Sequence, residues 1–310
     1  MRRAEIALLA LLAGCGPQAG AAQGGAAPIA AAPIAAALDC LRAQGRGLAS
    51  AHRGGPGPGL PENALETLAA GFAAGVRLFE VDVRRTKDGV LVLLHDETLE
   101  RTTTGSGSLR SHSLQELAGV RLKDDAGALT QGRLPTLADA LTWAVKRGAY
   151  LQLDIKPEVR FEDVVAAVRQ ARAADSVILI VYSTQAASRL ARLAPDMTIS
   201  APAETAQDLT ALQNAGVGLG RLAAWTGLTE KTAADYATLR GQGVEPILGT
   251  LGRPGLRLDD RYVADGDVSE YAARVKDGVA ILASDSAATV AKALDAADRG
   301  PGACLVVAPQ

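Results

Sequence analysis

Two carboxylates and a histidine sit where this chain otherwise reads as buried strand. Glu80 and Asp82 alternate with Phe79, Val81 and Val83, and His95 closes the apolar run Val90–Leu94. Farther on, Asp154 and Lys156 alternate with Leu153 and Ile155. Side chains alternate faces along a strand, so Glu80 and Asp82 share one face, as do Asp154 and Lys156. Charge in apolar surroundings is costly unless something pairs with it. Three carboxylates converging on one place call for a cation, and a donor set made only of oxygen favours Ca²⁺ or Mg²⁺. His52 ends the first strand-like run and is followed by Arg53-Gly54. Two histidines beside such a cluster suit general acid/base chemistry near neutral pH. Arg53 offers a forked donor for phosphate, and Lys156 a compact positive charge. The third histidine, His112, lies in a polar stretch and is expected in solvent.

These residues need a frame that brings distant strands together. From about residue 47, short β-rich runs alternate with Ala/Leu-rich helical stretches, the pattern of parallel βα units. Candidate strands cover 48–52, 78–83, 90–94, 150–155, 177–182, 197–200, 222–225, 244–248 and 279–283. That is one more than an eight-stranded barrel requires. Between Val83 and Val90 there is no room for a helix, and Lys87-Asp88-Gly89 is a turn sequence. A hairpin there leaves eight units, an α/β fold of the TIM (β/α)8 type, and folds His95 back beside Glu80 and Asp82. Active sites of such barrels gather at the C-terminal ends of the strands. Residues 96–134 are too long and polar for a simple connection and read as an insertion over one end of the barrel, with a short helix at Leu114–Leu117.

In order along the chain, HRG (52–54), PEN (61–63), EVDVRRTKDGVLVLLHD (80–96), LERTTTGSG (99–107), LPTLADAL (134–141) and LDIKP (153–157) resemble the glycerophosphodiester phosphodiesterase family. The likeness covers roughly residues 47–157. It implies a TIM barrel that hydrolyses glycerophosphodiesters to glycerol 3-phosphate and an alcohol with one bound divalent cation. It makes His52 and His95 the acid/base pair, Glu80 and Asp82 metal ligands, Arg53 a phosphate contact, and Glu62 a neighbour of metal or substrate glycerol. Asp154 stands where the family usually has the glutamate of an E-I-K triplet, which implies a third, shorter ligand, with Lys156 beside the phosphate. The second half departs further: VEPILGT (244–250) and Ser284-Asp285 replace the family's strand and T-D patterns, which bears on the leaving group. Two alternatives are a phospholipase D-like activity on lysophospholipids or sphingolipids, and a non-catalytic glycerophosphodiester-binding lipoprotein.

The ends and composition set the context. Residues 1–15 combine Arg2 and Arg3, a short apolar run and Leu12-Ala13-Gly14-Cys15, the layout of an export signal with a lipoprotein-type cleavage site. The expectation is an exported periplasmic or cell-envelope protein held at a membrane by lipid on Cys15, or else a secreted one whose signal is cut later. Residues 16–37, rich in Ala, Gly and Pro, read as a low-complexity tether, leaving 38–310 as the folded domain. Cys40 and Cys304 are either a disulfide, permitted in an oxidising compartment, or two buried thiols. A net charge of −2 over 310 residues gives no reason to expect nucleic acid as a partner.

Overall fold

The structure is a computed structural model that describes residues 31–306. Its centre is a closed barrel of eight parallel strands: β1 (Leu48–Ala51), β2 (Leu78–Arg85), β6 (Tyr150–Ile155), β7 (Val177–Ile180), β8 (Thr198–Pro202), β9 (Leu222–Trp225), β10 (Glu245–Gly249) and β11 (Ile281–Ser284). Pairing of β1 with both β11 and β2 closes the ring. The TIM-barrel expectation holds, with strand ends within two residues of those expected. β3 (Leu91–Leu93) runs antiparallel to β2 with Val83 opposite Leu93, so the ninth run is the second arm of a hairpin. Gly89, at φ 89°, makes the turn that the Lys87-Asp88-Gly89 sequence calls for.

Alternation along the strands separates two cores. Phe79, Val81 and Val83 of β2 and Leu151, Leu153 and Ile155 of β6 face outward into one apolar layer. That layer packs against α2 (Leu65–Ala73), α3 (Leu137–Arg147), α4 (Phe161–Gln170), α5 (Thr184–Leu193), α6 (Ala206–Asn214), α7 (Ala233–Gly241), α8 (Leu258–Tyr262), α9 (Ser269–Asp277) and α10 (Ala287–Ala296). The inward residues Leu48, Leu78, Tyr150, Ile178, Ala223, Ile247 and Ile281 form a second core at the barrel's N-terminal end.

α1 (Ile34–Gln44) closes that end, burying Ile34, Ala37, Leu38 and Leu41 against the inward residues. The folded body therefore starts inside the stretch expected to be a tether, because alanine is the best helix former and this helix has an apolar floor to cover. Arg42 of α1 pairs with Glu245 at 2.7 Å, and Cys40 is bonded to Cys304, with Cα atoms 5.5 Å apart. Of the two expectations for these cysteines, the disulfide is the one found. The proposed signal, Cys15 and the tether up to residue 30 lie outside the described residues. Among the described residues, no helix is long and apolar enough to cross a membrane.

The insertion carries its own hairpin, β4 (Arg121–Lys123) with β5 (Leu129–Arg133), and a small core of Val92, Leu94, Leu99, Leu109, Leu117 and Leu134. The helix expected at Leu114–Leu117 is a run of turns instead. One turn before Gly119 forms too few bonds to sustain a helix, and Leu117 docks into the small core directly.

Candidate active site

The site is built on register. In the barrel Glu80 pairs with Gln152 and Asp82 with Asp154 across β2 and β6, all inward-facing. Adjacent strands lie about 4.8 Å apart, so same-face residues in register must meet. Oxygen atoms of Glu80, Asp82 and Asp154 fall within 4.8 Å of one another. Lys156 completes the group, its Nζ 2.5 Å from Asp82 Oδ1 and 2.6 Å from Asp154 Oδ2. Burial and the neighbouring Asp82 and Asp154 hold Glu80 well above the ordinary carboxyl range. Burial would also raise Asp82, but Lys156 and Asn63 outweigh it and hold its carboxyl below that range.

These residues fit a divalent cation on an observation of their own. Asp154 Oδ1 is buried and, among the described residues, has no hydrogen-bond partner. A buried carboxylate oxygen left without a donor is costly, and a cation is what would satisfy it.

The HRG turn supplies the next layer. Arg53 adopts φ 50°, and Gly54 follows at φ 85° with a side-chain position that Leu68 Cδ2 would crowd at 2.9 Å. Only glycine fits there. The turn aims the Arg53 amide at Glu80 Oε2 (2.7 Å). Arg53 Nη1 donates to Glu62 at 3.1 Å, while its buried Nε has no hydrogen-bond partner among the described residues and lies 4.0 Å from Asp82 Oδ2. Glu62 has both oxygens occupied: Arg101 of the insertion donates to them at 2.8 and 2.9 Å. Its direct task is thus to hold two arginines.

Both histidines face the same cavity, of about 280 Å³, as Glu80, Asp82, Asp154 and Lys156. Each carries an aspartate on Nδ1: His52 meets Asp285 Oδ1 at 2.6 Å and His95 meets Asp96 Oδ1 at 2.7 Å. Each aspartate is in turn held by an arginine, Asp285 by Arg257 at 2.8 Å and Asp96 by Arg101 at 2.6 Å. Burial raises Asp285, but His52, the Gly252 amide and Arg257 together bring it down to about 2. Both aspartates are anions at neutral pH, and an anion on Nδ1 favours a proton there and leaves Nε2 free to face the cavity. The opposite wall is apolar, with Ile180, Tyr182, Pro202, Trp225 and Leu251. His112 stays in the insertion, bonded to Ser108 O at 2.9 Å.

The sequence reading brought together the eight residues the structure gathers here, and it missed Asn63. Asn63 clamps Asp82, accepting from its amide at 2.8 Å and donating to its carboxylate at 2.7 Å. The signal was present: asparagine is a residue that tolerates φ > 0, and Asn63 sits at φ 56°. Asp285 was noticed as a departure bearing on the leaving group, not as the partner of His52.

A model of the glycerophosphoryl diester phosphodiesterase family matches residues 52–246. A crystal structure of a glycerophosphoryl diester phosphodiesterase from Parabacteroides distasonis superposes with a TM-score of 0.77 at 29% identity, covering 87% of this chain and 94% of that one. An uncharacterized Bacillus subtilis protein is 36% identical over 152 residues, 47% of this chain and 62% of that protein. Mouse glycerophosphodiester phosphodiesterase 1 is 36% identical over 126 residues, 39% of this chain and 37% of its own length. The chain thus spans less than two thirds of the length of these two curated relatives.

Proposed function

The chain belongs to the glycerophosphoryl diester phosphodiesterase family, and from that membership we propose that it hydrolyses glycerophosphodiesters to glycerol 3-phosphate and an alcohol. The observation that carries the reading is the cluster of Glu80, Asp82 and Asp154 in one cavity with His52 and His95. Glu80, Asp82 and Asp154 would hold one divalent cation, Ca²⁺ or Mg²⁺. Bound there, it would neutralise phosphate charge and lower the pKa of a ligating oxygen. The Nε of Arg53, which makes no hydrogen bond among the described residues, supports a contact to the phosphoryl oxygens, with Lys156 adding charge from the β6 side. One histidine accepts the proton of the attacking oxygen, and the other gives a proton to the departing alcohol. Asp285 and Asp96 keep both imidazoles oriented for these transfers.

The test is release of choline and glycerol 3-phosphate from glycerophosphocholine, before and after EDTA and with Ca²⁺ or Mg²⁺ restored. Turnover that survives exhaustive chelation would sink the metal reading. Saturable binding without turnover, metals included, would leave only the non-catalytic alternative. The apolar wall of Tyr182, Pro202, Trp225 and Leu251 favours one second reading, action on lysophospholipids. Faster turnover of lysophosphatidylcholine than of glycerophosphocholine is the outcome that would select it. Export, with lipid on Cys15, is part of the same proposal, and the Cys40–Cys304 bond supports an oxidising compartment.

A further inference from the structure

Asp259 is 1% exposed and, among the described residues, pairs with no arginine, lysine or histidine. An anion buried without a cation is costly, so its other partners deserve an account. All but one of them lie in the turn that carries Asp285, the partner of His52. Asp259 Oδ2 accepts the Asp285 amide at 2.8 Å, and both oxygens lie 2.9 Å from the Ser284 hydroxyl. The Tyr271 hydroxyl donates to Oδ1 at 2.8 Å. Ser284 Oγ then accepts the Ser286 amide at 2.8 Å, so the last residue of β11 and the next two are tied to one carboxylate, Ser286 through Ser284. The Asp259 amide in turn donates to Thr250 O at 2.9 Å, tying this turn to the end of β10. Two residues earlier, Arg257 grips the other oxygen of Asp285.

We propose that Asp259 is a positioning residue for His52: by fixing the 284–286 turn it holds Asp285 against Nδ1 and so sets which imidazole nitrogen is free for proton transfer. Asp259, Arg257 and Asp285 all lie beyond the stretch that the family model matches, 52–246. The device therefore belongs to the part of the chain where the sequence likeness was weakest. It rests on the proposed role of His52 in hydrolysis, so its test includes a readout that needs no turnover.

The chain has three histidines, which makes their ¹⁵N long-range spectra assignable. Wild-type His52 is expected as a single tautomer protonated at Nδ1, and Asp285→Asn as a mixture. Asp259→Asn, folded and with every residue of the site present, is expected to give the same mixture and about a tenfold or larger fall in kcat, with KM within about threefold. Tyr271→Phe removes a bond to Asp259 but not the one to Asp285; its tautomer and kcat should stay as in wild type even if its Tm falls. A single Nδ1–H tautomer and a kcat within about twofold of wild type in Asp259→Asn would overturn the proposal. Should that variant fail to fold, Ser284→Ala decides: a split His52 signal supports the role, an unchanged one overturns it. An intact tautomer pattern in a protein without any turnover would refute the proposed function and leave the positioning role standing.

Discussion

Asn63 does for the acidic cluster what Asp285 does for His52: it lies behind a side chain that faces the cavity and fixes it in place. Its carbonyl takes the Asp82 backbone amide and its NH2 holds Asp82 Oδ2, which leaves Oδ1 to Lys156 and the cavity. Removing such an outer partner commonly costs 10–100-fold in metal affinity or activity, and Asn63→Ala is expected to lose about that much in Mg²⁺ or Ca²⁺ affinity by calorimetric titration. An unchanged affinity would mean that register alone orients Asp82. His52→Ala is expected to lose about 10²–10⁴-fold in turnover, read as choline release. At the opposite end of the barrel, burial outweighs Arg42 and lifts Glu245 from 4.5 to about 7. Between those values the folded protein holds a proton that the unfolded chain has released. Stability therefore falls as pH rises across that interval and levels off above it. Glu245→Gln removes the titration, so its Tm relative to wild type should climb between pH 5 and pH 8, by the equivalent of roughly 3 kcal/mol at most. A constant difference across that range would contradict the lifted carboxyl.

At the scale of elements, what the sequence made legible was what depends on neighbours. The two-residue period of Glu80 and Asp82 and the Lys87–Gly89 turn are local signals, and together they deliver His95 beside Asp82, where the Leu94 amide bonds Asp82 O at 3.0 Å. The Asp285 partnership spans 233 positions and exists only once the ring has closed. No periodicity announces a contact of that kind. The start of α1 was hidden for another reason: its first turn is mostly alanine, and its apolar face has meaning only against a barrel floor assembled from seven other segments. Element packing also explains Gly249 at the end of β10. A Cβ there would lie 2.5 Å from the Trp225 ring and 2.6 Å from Leu228. Gly249→Ala is expected to push Trp225 toward the cavity, to cost about 1–3 kcal/mol in a denaturant titration and to raise KM. An unaltered KM would show that the displaced ring leaves the substrate path clear.

Across the whole molecule, the first helix and the last described residues meet under the barrel, on the face away from the histidines. Besides Cys40–Cys304, the Ala32 amide bonds Leu305 O at 3.1 Å and the Tyr150 hydroxyl bonds Ala32 O at 2.7 Å. The crosslink joins positions 264 apart. Closing so long a loop restricts the unfolded chain considerably, so Cys40→Ser with Cys304→Ser is expected to lose about 2–4 kcal/mol, seen as a Tm lower by roughly 5–10 °C. Equal melting of the reduced and oxidised protein would show that the contacts of α1 suffice without it. The same bond closes the stretch from Cys40 to Cys304 into a covalent ring. A protease that nicks one loop at the barrel mouth, such as that around Gly255 or Gly266, opens the ring without dividing it. The nicked protein should run as a single species on a non-reducing gel and separate into two bands only after thiol treatment.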